Sequence, residues 1–145
     1  MPDDEKMKVK KVIDLINRAL PLQMRSAALF TWAAGTATGF EMQAVSQKLE
    51  GFGRLELDDA RRLIEKVVAL GGDPSPGVKG FEALSLNKTG LKKMIDFENE
   101  TTEALRKVIP ATGQEARSEA LEHLLEHIIM RKQEQIDFLE RVRRS

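Results

Sequence analysis

The sequence predicts an all-α fold, a four-helix bundle whose second and third helices are joined by one long crossover. Three observations carry this. Apolar residues recur at helical spacing almost throughout, with hardly any alternating β-branched run. Strand-favouring aromatics are scarce: tyrosine is absent and aromatic residues make up 5% of the chain. Two short breaks and one long one divide the periodic stretches into four.

The first helix is expected from near Glu5 to Gly35, with Pro21 set to kink or restart it. The small residues from Gly35 to Gly39 then break the chain. The second helix runs from about Phe40 to Leu70, where Gly71-Gly72-Asp73-Pro74 is a strong stop. Gly51 and Gly53 lie inside it, each weakening a helix interior by about 1 kcal/mol against alanine. From Gly72 to about Ser85 the chain is rich in glycine, proline and serine and has no helical period. The third helix spans roughly Asn87 to Ile109 and is stopped by Pro110. Thr112 with Glu115 three residues on reads as a capping box that starts the fourth helix, which continues almost to Ser145. Residues 1–145 thus read as a single domain. The short links make antiparallel hairpins, and the long one crosses the bundle to bring the third helix beside the second, running parallel to it. An up-down-up-down bundle would need only short links. The alternative reading of the long stretch is a disordered linker between two hairpins.

The composition excludes several classes of function. The chain has 145 residues, 41% hydrophobic and 32% charged, enough to bury a core and unlike a disordered tail. Its richest apolar run, Ala27 to Ala34, is far too short to cross a bilayer, so no membrane partner is expected. The N-terminus lacks a secretory signal pattern. There is no cysteine, hence no disulfide, thiolate ligand or thiol nucleophile, and a reducing cytoplasm is the default location. A formal net charge of zero argues against nucleic acid as a partner.

The stripe that each helix turns toward the others is apolar except near its middle. In the first helix Ile16, Leu20, Gln23, Ala27, Phe30 and Ala34 share a face. The second has Glu56, Ala60, Leu63, Val67 and Leu70, with Asp59 one turn from Glu56. The third has Leu91, Ile95, Glu98, Thr102, Leu105 and Ile109. The fourth has Leu121, Leu125, Ile128, Lys132, Gln135, Leu139 and Val142. Taken singly, each polar intrusion is as consistent with a wet stripe edge. Four at matching depth should satisfy one another or bind something, because buried polar groups without partners are costly.

The chain resembles the bacterioferritin family, within the ferritin-like superfamily. Lys11 to Asn17 followed by Leu20 resembles that family's opening helix, and Ala60 to Pro74 the end of its second helix and the turn beyond. Leu91 to Leu105 matches the stretch carrying its third-helix glutamate, and Gln135 to Glu140 its fourth-helix motif. The resemblance implies a ferritin-like bundle, iron handling and a di-iron site built from glutamates and Glu-x-x-His turns. Matched by position, the first-helix glutamate falls on Gln23. The second-helix pair falls on Glu56 and Asp59, the third-helix glutamate on Glu98, and the fourth-helix pair on Lys132 and Gln135. The family's haem-ligating methionine falls on Leu57, so no haem is expected. The metal ligands left are Glu56, Asp59 and Glu98, lined by Gln23, Lys132 and Gln135, and iron or another divalent ion would bind weakly. The family implies ferroxidase activity, which the missing ligands argue against. The expectation is a protein linked to iron handling with a reduced or altered site. The alternative is a metal-free structural or interaction protein. An oxidase using Glu56, Asp59 and Glu98 is disfavoured by the missing histidines, and a DNA-associated mini-ferritin by the neutral charge.

Two further features remain. His123-Leu-Leu-Glu126-His127 spells an inverted zinc-peptidase motif, but both histidines fall off the core stripe and should face outward. From Met24 to Ala34 the first helix is apolar nearly all round, which suggests a homo-oligomer, a dimer with Leu29 and Trp32 near the contact. A patch lying under a loop is the alternative. The chain ends without the family's short fifth helix, so a small assembly is expected.

Overall fold

The computed structural model describes residues 6–144, which form four long helices and, among the described residues, no strand. Helix α1 is Val9–Thr36, α2 is Gln43–Ala69, α3 is Lys88–Arg106 and α4 is Ala116–Arg144. The expected start at Glu5 lies outside the described residues. Pro21 does not end α1, which continues through it. A short 3₁₀ turn at Phe40–Met42 takes the expected start of the second helix, and α3 ends at Arg106, before the expected Ile109, where a second such turn, Ile109–Ala111, begins.

Cross-helix contacts fix the directions. Along α1, Thr31 meets Gly53 and Gln23 meets Glu56, so α1 and α2 are antiparallel. Lys8 bonds to Ala111 and Arg25 to Phe97 and Glu100, so α3 is antiparallel to α1 as well. Helices α2 and α3 are therefore parallel, as the long link requires. They are not side by side, however: α3 packs against α1 and α4, diagonally across from α2.

The crossover is an ordered strap on α1, not a loose linker. Asn17 bonds to the main chain of both Asp73 and Ser75, and the Lys79 N–H donates to the Pro21 carbonyl. Farther on, Phe81 meets Trp32 edge-to-face at 6.1 Å between centroids. The apolar back of α1 is thus partly covered by the chain's own strap. Trp32 is half-buried beneath it. Leu29, expected at a subunit contact, is fully buried in the chain's own core and presents no surface to a second copy.

At the starts of α3 and α4, one local expectation holds and one changes. Asn87 caps α3, its side chain accepting the Gly90 N–H, as a start near that residue requires. The Thr112–Glu115 box does not form. The Thr112 hydroxyl sits 2.8 Å from both the Ile109 carbonyl and the Glu122 carboxylate. Instead Ser118 accepts the Glu115 N–H at 3.0 Å, which moves the cap inward by one turn.

The core divides into two apolar clusters. One joins Ile16, Leu20, Leu63, Val67, Leu105, Leu121 and Leu125. The other joins Phe30, Leu49, Phe52, Leu91, Met94, Ile136 and Leu139. In sequence, the polar residues of every helix fall between its contributions to the two.

Candidate functional site

That intervening layer is a buried charge cluster. Gln23 comes from α1, Glu56 from α2, Glu98 from α3, and Lys132 and Gln135 from α4, each at most 1% exposed. A helix places residues three apart on one face, so Lys132 and Gln135 enter together, as do Gln23 and Ser26. The Lys132 ammonium donates to Glu56 Oε2 at 2.5 Å, Glu98 Oε2 at 3.1 Å and Ser26 Oγ at 3.4 Å. Its three protons are thereby engaged. The Gln23 amide donates to the Glu56 carboxylate at 2.7 Å and the Glu56 carbonyl at 2.8 Å.

Burial dominates the ionisation of Glu56, pushing its pKa up to about 7 against the opposing pull of Lys132, with Glu98 adding to the rise. Burial works against the Lys132 charge too, but Glu98 and Glu56 together outweigh it, and its pKa is raised. Lys132 is therefore an ammonium throughout the physiological range.

Asp59 does not join this group. Although one turn from Glu56, it faces the α2–α4 seam, where Arg131 grips it through two hydrogen bonds of 2.5 and 3.0 Å. A surface groove beside Leu55, Arg62, Leu124 and His127 ends on that ion pair. Of the three expected metal ligands, the fold brings Glu56 and Glu98 together on Lys132 and turns Asp59 aside. Leu57, the position matched to the haem methionine, is exposed on the outer face of α2. His123 and His127 are exposed as well. Sequence reasoning missed Ser26, legible as the residue three after Gln23, and Arg131, whose pairing depends on how α2 and α4 are rotated.

A di-iron centre in a helical bundle takes four carboxylates and two imidazoles. These residues do not fit it. Two carboxylates converge, no imidazole does, and an ammonium already sits on both. Among the described residues no group of three or more His, Cys, Asp or Glu is placed to hold a metal ion.

A bundle with parallel α2 and α3, one long crossover and a polar layer at mid-height defines the ferritin-like class. Residues 13–144 match the ferritin-like domain, and the chain belongs to that family. The chain is similar in fold to a crystal structure described as ferritin like, diiron-carboxylate proteins from Bacillus anthracis str. Ames. The TM-score is 0.79 at 23% identity, over 98% of this chain and 99% of that one. Comparison with curated proteins returns no match. Among the described residues no helix is long and apolar enough to cross a membrane.

Proposed function

We propose that this is a bacterioferritin-like protein in which an internal ammonium has replaced the di-iron centre, leaving a metal-independent structural or interaction bundle. One observation carries the reading: Lys132 Nζ, wholly buried, binds the two carboxylates that would otherwise bridge iron. To admit two ferrous ions the protein would have to expel this ammonium, break both ion pairs and bind with no imidazole at all. Desolvating such ions without a full ligand set is unfavourable.

The second reading, a weak divalent site linked to iron handling, is favoured by the free Oε1 atoms of Glu56 and Glu98, which have no hydrogen-bond partner. Ferrous titration separates the two. The metal-independent reading expects no stoichiometric iron and oxidation no faster than in buffer. Lys132→Glu with Gln135→His, and then Gln23→Glu with Asp59→His, should raise iron binding in steps. Tight iron at two ions per chain in the unmodified protein, with rapid oxidation, would overturn the proposal.

A further inference from the structure

The charge cluster leaves an inventory that its own residues cannot close. Four buried oxygens accept no hydrogen bond: Oε1 of Gln23, Glu56, Glu98 and Gln135. Lys132 has no proton left for them, and the Gln23 amide nitrogen is already engaged by Glu56. Gln135 stands close enough to Glu56 to favour its charged form, yet neither end of its amide makes a well-formed hydrogen bond. A fully buried amide with both polar atoms idle, beside two half-satisfied carboxylates, marks a place built to hold something.

Charge decides what. Above about pH 7, once Glu56 has given up its proton, Glu56 and Glu98 carry two negative charges and Lys132 one positive, which leaves a single negative charge uncompensated. The neighbouring charges among the described residues do not correct it. Asp59 is neutralised by Arg131 on the α2–α4 seam, and Arg25 points away to Glu100 and the Phe97 ring. Water could satisfy the oxygens but would bring no charge, and a divalent ion would overshoot by one. Hard carboxylate and amide oxygens, with no sulfur or imidazole, suit a hard cation.

We infer that the bundle centre is a site for one compact monovalent cation (sodium, potassium or ammonium) held by the free oxygens of Gln23, Glu56, Glu98 and Gln135 beside Lys132. The site rests on the reading that Lys132 stays in the centre, since it is the ammonium that lowers the demand from two positive charges to one.

The test is thermal unfolding of the full chain at pH 8, above the Glu56 pKa, in sodium, potassium, ammonium, magnesium or choline chloride at equal ionic strength. A small monovalent cation should raise Tm saturably, by more than about 3 °C at saturation, where choline does not. Glu98→Gln, which removes the surplus charge, should abolish the increment. Gln135→Leu, which keeps the charge but deletes one oxygen, should weaken it. Crystals of the unmodified protein soaked in thallium need no variant and should show one anomalous peak among the four oxygens. Identical melting in all salts, water alone at that position, or stronger stabilisation by magnesium than by any monovalent ion would overturn the site. Cation-independent melting together with no iron uptake would overturn the cation site and leave the metal-independent reading standing.

Discussion

Arg131 grips Asp59 across the α2–α4 seam through a two-pronged ion pair at 2.5 and 3.0 Å, holding aside a carboxylate that lies one turn from the bundle centre. The Asp59 side chain is 3% exposed and that of Arg131 is 25% exposed, so the two partners are not equivalent. Arg131→Ala leaves a buried carboxylate alone and should cost about 2–3 kcal/mol in urea unfolding, somewhat below a fully buried pair because solvent reaches the arginine. Replacing both residues with leucine should cost less than Arg131→Ala alone. Equal cost for the two variants would show that the pair contributes nothing specific.

Lys132→Met should be the most damaging single change at the centre. It keeps the length of the side chain but leaves Glu56 and Glu98 buried without their common cation. The expected loss is about 3–5 kcal/mol, or a protein that unfolds at room temperature. Adding Glu56→Gln and Glu98→Gln to the methionine variant should restore much of the loss. A triple variant no more stable than the single one would contradict the charge argument.

The raised Glu56 pKa makes a signed prediction for stability against pH. Its ordinary value is 4.5 and its folded value about 7, so between these the folded chain holds a proton that the unfolded chain has released. Stability from this group therefore falls as pH rises through that window. Wild type should lose about 2–3 kcal/mol between pH 5 and pH 8 relative to Glu56→Gln, since the other titrating groups are common to both. Parallel profiles would mean that Glu56 titrates as an ordinary surface acid.

Two glycines of α2 should respond in opposite senses. A Cβ on Gly51 meets nothing within 4 Å, so Gly51→Ala should stabilise by up to about 1 kcal/mol. At Gly53 the same atom would lie 2.8 Å from Thr31 Oγ1 and 3.3 Å from the Thr31 nitrogen. There Gly53→Ala should destabilise by about 1–2 kcal/mol despite the better helix former, because α1 and α2 would have to separate. Thermal melts of the two variants on opposite sides of wild type would verify the close approach.

Much of this was legible before any coordinates. The four helices follow from apolar period and from Gly71, Gly72 and Pro110 as stops, and the parallel α2 and α3 follow from one link being long. The depth of Gln23, Glu56, Glu98, Lys132 and Gln135 was legible because each interrupts an otherwise apolar stripe. What each side chain faces was not. Asp59 and Glu56 share a helical face to within part of a turn, and only the rotation of α2 against α4 sends one inward and the other to Arg131. Leu29, expected at a subunit contact and found in the chain's own core, was illegible for a related reason. A helix that is apolar all round requires cover, but its sequence does not say whether a second chain or the strap from Asp73 to Phe81 supplies it. The Thr112 cap failed because the Glu115 N–H that it would accept goes to Ser118 Oγ, while the Thr112 hydroxyl turns to Ile109 and Glu122.

The central claim is that Lys132 occupies the place of the metal, and crystals grown anaerobically with excess ferrous ion test it most directly. Data collected at the iron absorption edge should show Lys132 Nζ between Glu56 and Glu98, with no anomalous peak within bonding distance of either carboxylate. Two iron peaks bridged by Glu56 and Glu98, with Lys132 swung out of the bundle, would contradict it.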